Sequence, residues 1–194
     1  MEGVYIFLAD GFEDVEALGT NDVLRRAGIK SQLIGLGDDP FVTSSHGITV
    51  SVDFGLPFMN IRHEGTTEKD ILIFPGGMPG SKTLAACKPL MKLMQAHYDA
   101  GGSVAAICAA PGTVLSQLKG IAGATVTCFD GFEGLLEAAG AKFEPRPAIR
   151  SGRIITGRSA GHALSFALEI VKALRPEKAA EVAHALYLDT WKSE

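Results

Sequence analysis

Four short and largely apolar runs, Val4–Ala9, Ser31–Leu36, Ile71–Phe74 and Ser103–Ile107, constrain this chain more than any other feature. Each is too short for a buried helix and is bounded by Gly, Pro or Asp, so each reads as a strand buried on both faces. Helical patterns lie between them: from about Asp10 to Ala27, from Ser81 to Asp99 with a break near Lys88-Pro89, and from Ala109 to Leu118. Such strands need helices on both sides, which predicts an α/β sandwich around a mostly parallel sheet. Phe41–Ser45 and Ile48–Asp53 predict a hairpin or a bent excursion around His46-Gly47, and Leu56–Lys69 a loop. Ala148–Thr156 predicts a second hairpin turning at Ser151-Gly152. Helices at His162–Leu174 and Pro176–Tyr187 close the pattern. No repeat or linker divides residues 1–194, so we expect one domain.

Ligands of open parallel sheets bind beyond the carboxyl ends of the strands. Three unusual segments fall at such ends: Asp10–Glu16, Pro75–Gly80 and Cys108. Cys108 stands between a buried strand and a helix whose first turn tolerates Pro111. That is a nucleophile-elbow position, and the positive helix end would favour thiolate over thiol. The alternative is a buried structural thiol. Phe12, Glu16, Gly19, Thr20, Val23 and Ala27 share one helical face, which turns Glu16 toward the sheet. A carboxyl buried there would be held protonated and could pass a proton beside the cysteine. Alternatively the helix rolls and Glu16 joins Glu13 and Asp14 in solvent. Gly76 and Gly77 let the backbone approach a ligand and aim amides at an oxyanion. The run is neither a P-loop nor a dinucleotide fingerprint.

Of five histidines, only His162, after Arg158-Ser-Ala-Gly161, is placed to reach this corner. No metal-ligand spacing is present, and we expect no metal and no cofactor. The net charge of −4 argues against nucleic acid as a partner. No run approaches the ~20 apolar residues of a membrane helix. Three cysteines without a Cys-x-x-Cys pair fit a reducing cytoplasm, with Cys87 and Cys128 as structural thiols.

Ala9-Asp-Gly-Phe-Glu-Asp-Val-Glu-Ala17, Arg25-Arg-Ala-Gly28, Phe74-Pro-Gly-Gly77, Ala105-Ala-Ile-Cys-Ala-Ala-Pro111 and Thr156-Gly-Arg-Ser-Ala-Gly161 follow the order and spacing of the ThiJ/PfpI superfamily. The chain most resembles its parkinsonism-associated deglycase (DJ-one) branch. The resemblance implies a flavodoxin-like three-layer sandwich, a homodimer, Cys108 as nucleophile and Glu16 as its protonated partner. It also implies oxyanion amides near Gly77 and Ala109, and Arg26 near the dimer contact. The activity it implies is cofactor-independent glyoxalase or deglycase chemistry on small reactive carbonyls or glycated substrates. Its rivals are a redox sensor or chaperone using an oxidisable Cys108, and a hydrolase using His162. The sequence departs from the superfamily where Ala109 stands in place of the histidine of triad-bearing branches. Phe129 stands near a position where some relatives carry histidine, and His162 where a small polar residue is expected. Leu56–Lys69 is also long.

Overall fold

The computed structural model describes residues 3–59 and 61–189. The termini of the single-domain reading, residues 1–2 and 190–194, lie outside them, as does residue 60. Strands run in chain order as β1 Val4–Leu8, β2 Ser31–Gly35, β3 Phe41–Thr43, β4 Thr49–Ser51, β5 Phe54–Gly55, β6 Ile71–Phe74, β7 Ser103–Ile107, β8 Thr125–Val126, β9 Lys142–Phe143, β10 Ala148–Ser151 and β11 Ile154–Gly157. The helices are α1 Thr20–Arg26, α2 Gly80–Ala86, α3 Lys88–Asp99, α4 Ala110–Thr113, α5 Glu133–Ala138, α6 Ala163–Leu174 and α7 Ala179–Ala185.

The main sheet has the order β10-β11-β7-β6-β1-β2-β5, parallel throughout except for the β10–β11 hairpin at one edge. From β1 the chain first builds outward through β2 and β5, then returns to the other side of β1 with β6 and β7. The carboxyl ends of β1, β6 and β7 therefore meet where the winding direction reverses.

Alternation along each strand splits the core in two, because successive side chains point to opposite faces. Ile6, Leu8, Ile73, Ala105 and Ile107 pack under α1 and α6 with Val23, Phe166 and Ile170. Phe7, Phe74, Val104 and Ala106 pack under α2, α3 and α4 with Leu84, Met94 and Val114. Phe7 and Phe74 stack at 5.5 Å between ring centroids across neighbouring strands. Burying each such ring stabilises the fold by roughly 1.5–3 kcal/mol. The three-layer sandwich expected from the sequence is present.

Several local details differ from that expectation. The first helix opens with a π-type turn over Val15–Gly19 before α1 begins. The helix after Cys108 is a single turn, α4, followed by a 3-10 turn at Leu115–Gln117. Ser116 Oγ bonds the Gly112 carbonyl at 2.5 Å, a local side-chain bond that competes with a continuous helix. The turn of the β10–β11 hairpin falls at Gly152-Arg153, with Gly152 at φ 60°. The parallel β8–β9 pair forms a small sheet apart from the main one.

Candidate active site

Cys108 occupies the end of β7 with φ 65°, a left-handed conformation that costs a residue bearing a Cβ roughly 1–3 kcal/mol. The surrounding backbone holds it there. Its N–H donates to the Gly157 carbonyl at 3.0 Å, and its carbonyl accepts the Phe129 N–H at 2.8 Å. The half-buried side chain is thereby turned off the strand, as an elbow requires.

Glu16 lies in the π-type turn and is 1% exposed. The extra residue in that turn keeps Phe12, Glu16, Thr20, Val23 and Ala27 buried on one side, so the inward reading of Glu16 holds. Its Oε2 accepts the Gly76 N–H at 2.8 Å, while Oε1 is buried without a hydrogen-bond partner of good geometry. The Glu16 carboxyl and the Cys108 thiol interact directly. Gly76 is packed between them. A Cβ there would fall 2.7 Å from both Cys108 Cβ and Glu16 Oε2. Gly77 (φ 87°) is equally constrained, since a Cβ would lie 2.5 Å from the Glu13 amide nitrogen. Glu13 caps the turn by accepting the Glu16 N–H at 2.8 Å.

Burial pushes the Glu16 carboxyl up to about 7, opposed by the Gly76 amide. Burial, and then the neighbouring Glu16 charge, push the Cys108 thiol up to about 12. The amides of Ala109 and Gly77 bond the sulfur and pull the other way. A lowered thiol was expected, and this is a correction. The helix behind Cys108 is one turn long, so its dipole is too weak to outweigh desolvation and an adjacent carboxylate. Two anions do not coexist at this spacing, so the pair keeps at least one proton through neutral pH. Moving that proton from sulfur to Glu16 creates a thiolate facing two amides.

The structure thus brings together Cys108, Glu16, Gly76, Gly77 and Ala109. It does not bring in the other two candidates. His162 Nδ1 bonds Ser159 Oγ at 3.0 Å and is absent from the groups acting on the Cys108 thiol. Arg26 is exposed and paired with Asp22 at 2.6 Å, within α1. Cys128 is fully buried, which pushes its thiol up to about 12; Cys87 sits between α2 and α3, and all three cysteines are free.

The sequence reading missed the pairing of Asp14 with His46 at 2.6 Å. Their separation of 32 residues hides it; the bridge between Phe12 and Ser44, with the Gly11 N–H on the Thr43 carbonyl and the Thr43 N–H on Asp10 Oδ1, brings the β3–β4 hairpin to this corner. Ligand atoms of Glu13, Asp14 and His46 lie within 4.8 Å of one another. The Asp14–His46 ion pair already engages two of them, and we assign no metal.

Residues 2–173 match the DJ-1/PfpI family. The protein dj-1beta of Drosophila melanogaster is 32% identical over 182 residues, covering 93% of this chain and 94% of that one. A glutathione-independent glyoxalase of Caenorhabditis elegans, DJR-1.2, is 33% identical over 167 residues, covering 86% and 85%. The solved structure of oxidised Toxoplasma gondii DJ-1 superposes with a TM-score of 0.85 at 27% identity, covering 96% of this chain and 98% of that one.

Proposed function

This chain belongs to the DJ-1/PfpI family, and on that premise we propose a cofactor-independent cysteine enzyme for reactive dicarbonyls or their adducts, with Cys108 as nucleophile and Glu16 as proton shuttle. The observation that carries the reading is the buried Glu16 carboxyl against Cys108, with an amide on Oε2 and none on Oε1. A free Oε1 deep in the protein suits a group that gains and loses a proton.

With methylglyoxal, the Cys108 thiolate adds to the aldehyde carbon while the Glu16 acid protonates the new alkoxide. The Glu16 carboxylate then takes the hydrogen from that carbon as a proton and returns it to the neighbouring carbon. The result is a thioester of lactate. Water cleaves the carbon–sulfur bond, releasing lactate and restoring the pair. The amides of Gly77 and Ala109 stabilise the oxyanions, a contribution of roughly 3–4 kcal/mol per donor in related chemistry. The assay is lactate formation from methylglyoxal without glutathione. We expect Cys108→Ser and Glu16→Gln to lose about 100-fold or more in kcat/KM. Unchanged turnover in Cys108→Ser overturns the reading.

The relative from Toxoplasma is described as oxidised, which favours a second reading. Peroxide would oxidise Cys108 to a sulfinate that accepts the Glu16 proton. Mass spectrometry after mild peroxide tests it. The proposal extends to a homodimer in the cytoplasm. No described helix is long and apolar enough to cross a membrane.

A further inference from the structure

We propose that Glu13 is a positioning residue of this site, holding both the Glu16 carboxyl and the Gly77 amide in place against the Cys108 sulfur. This role deepens the glyoxalase reading above, on which it rests.

Glu13 is half-buried and makes two bonds of different kinds. Its Oε2 accepts the Glu16 N–H at 2.8 Å, which fixes the turn that carries the proton-shuttling carboxyl. Its own N–H donates to the Gly76 carbonyl at 3.1 Å. The Gly76 carbonyl and the Gly77 N–H belong to one planar trans peptide and point in opposite directions. A donor on that carbonyl therefore sets where the Gly77 N–H points, and that N–H bonds the Cys108 sulfur. The fit is close. A Cβ on Gly77 would fall 2.5 Å from the Glu13 nitrogen and 2.5 Å from the Gly11 carbonyl oxygen.

The peptide before Glu13 is anchored in turn. The Phe12 carbonyl accepts the Ser45 N–H at 2.8 Å, from the turn of the β3–β4 hairpin. Hydrogen-bonded peptides thus lead from the hairpin through Phe12-Glu13 and Gly76-Gly77 to the sulfur, and bonds in such a chain polarise one another. Charge acts beside geometry. Burial raises the Glu16 carboxyl most, and the Glu13 carboxylate adds to it. Cys108 faces Glu16 from the end of β7, and Asp14 and His46 face Glu13, with ligand atoms of the three within 4.8 Å of one another. Glu13 works through its neighbours, because its bonds end on the backbone of Glu16 and Gly76.

The test compares Glu13→Gln with Glu13→Ala. Glutamine keeps an oxygen for the Glu16 N–H and removes the charge, whereas alanine removes both. Without that cap the Glu13 backbone is also free to leave the Gly76 carbonyl. The measurements are kcat and KM for methylglyoxal across pH, with infrared titration of the protonated-carboxyl band that Glu16→Gln abolishes. The infrared readout needs no turnover. Both variants should move the Glu16 midpoint to lower pH, because each removes a neighbouring negative charge. At its own pH optimum Glu13→Gln should keep kcat within about threefold, and Glu13→Ala should lose about tenfold or more with KM nearly unchanged, as expected when a reacting group is misplaced. A role in stability alone would lower the melting temperature and leave the midpoint in place, and that result overturns the proposal. Equal losses of kcat in the two variants, or none in alanine, overturn it as well and leave the glyoxalase reading intact. If wild type turns over no aldehyde while the infrared midpoint still falls in both variants, the action of Glu13 on Glu16 stands and the glyoxalase reading falls.

Discussion

The Glu16 carboxylate oxygen Oε2 accepts the backbone N–H of Gly76 at 2.8 Å, across 60 residues of sequence. That bond ties the first helical turn to the end of β6 and sets the carboxyl against Cys108. Its chemistry makes the following outcomes measurable.

Glu16 should make folding less favourable as pH rises. Its folded pKa of about 7 exceeds the ordinary 4.5, so the native state holds a proton that the unfolded chain has released. Stability is full below about 4.5 and declines until about 7, by an amount on the order of 3 kcal/mol at 1.36 kcal/mol per unit. Glu16→Gln removes this dependence. Urea denaturation should find the variant gaining on wild type from pH 4.5 to 7, and parallel curves would contradict the buried-acid assignment.

Cys108 should titrate at lower pH once the neighbouring charge is gone. The Glu16 carboxylate is a named cause of the raised thiol, so Glu16→Gln should shift the pH profile of iodoacetamide labelling downward. A profile that stays in place would mean that desolvation alone sets the thiol.

Gly76 should tolerate no side chain. Its Cβ position lies 2.7 Å from Cys108 Cβ and 3.1 Å from the Ile107 carbonyl oxygen. Gly76→Ala should destabilise by about 1–3 kcal/mol through overpacking and abolish turnover. Gly134→Ala in α5, with nothing within 4 Å, should be neutral or stabilise by up to about 1 kcal/mol. Melting curves of the two variants check this.

His97 should make the protein acid-sensitive, opposite in slope to Glu16. It is fully buried in α3, with Nε2 on the Asp70 carbonyl at 3.0 Å and Nδ1 without a partner. Burial holds its pKa below the ordinary 6.5, so the unfolded chain takes up a proton first. Stability is full above about 6.5 and falls as pH drops below it. His97→Gln should lose less stability than wild type over that range in thermal melts at graded pH.

The proposed dimer should depend on Val15 and Ile48, exposed by 50% and 52%. The Asp14–His46 pair ties together the segments that carry them. Light scattering should show a dimer for wild type at micromolar concentration and a monomer for Ile48→Lys; a wild-type monomer would remove the dimer from the proposal.

The sequence by itself determined the layered fold, because apolar runs of four to six residues that are buried on both faces have no other stable arrangement. Helical spacing put Glu16 in line with Phe12 and Val23 but left two orientations open, and only the packed π-type turn turned it inward. Periodicity is a local property, and the layered fold needed nothing beyond it. Tertiary structure alone decided the rest. Whether a buried carboxyl lies against a thiol depends on Gly76 between them, and what the thiol does depends on desolvation and the one-turn helix after it. The sign of the Cys108 shift was misread from sequence for that reason. The sequence shows a helix N-terminus, whereas desolvation and the charge beside the sulfur come from segments brought together only by folding.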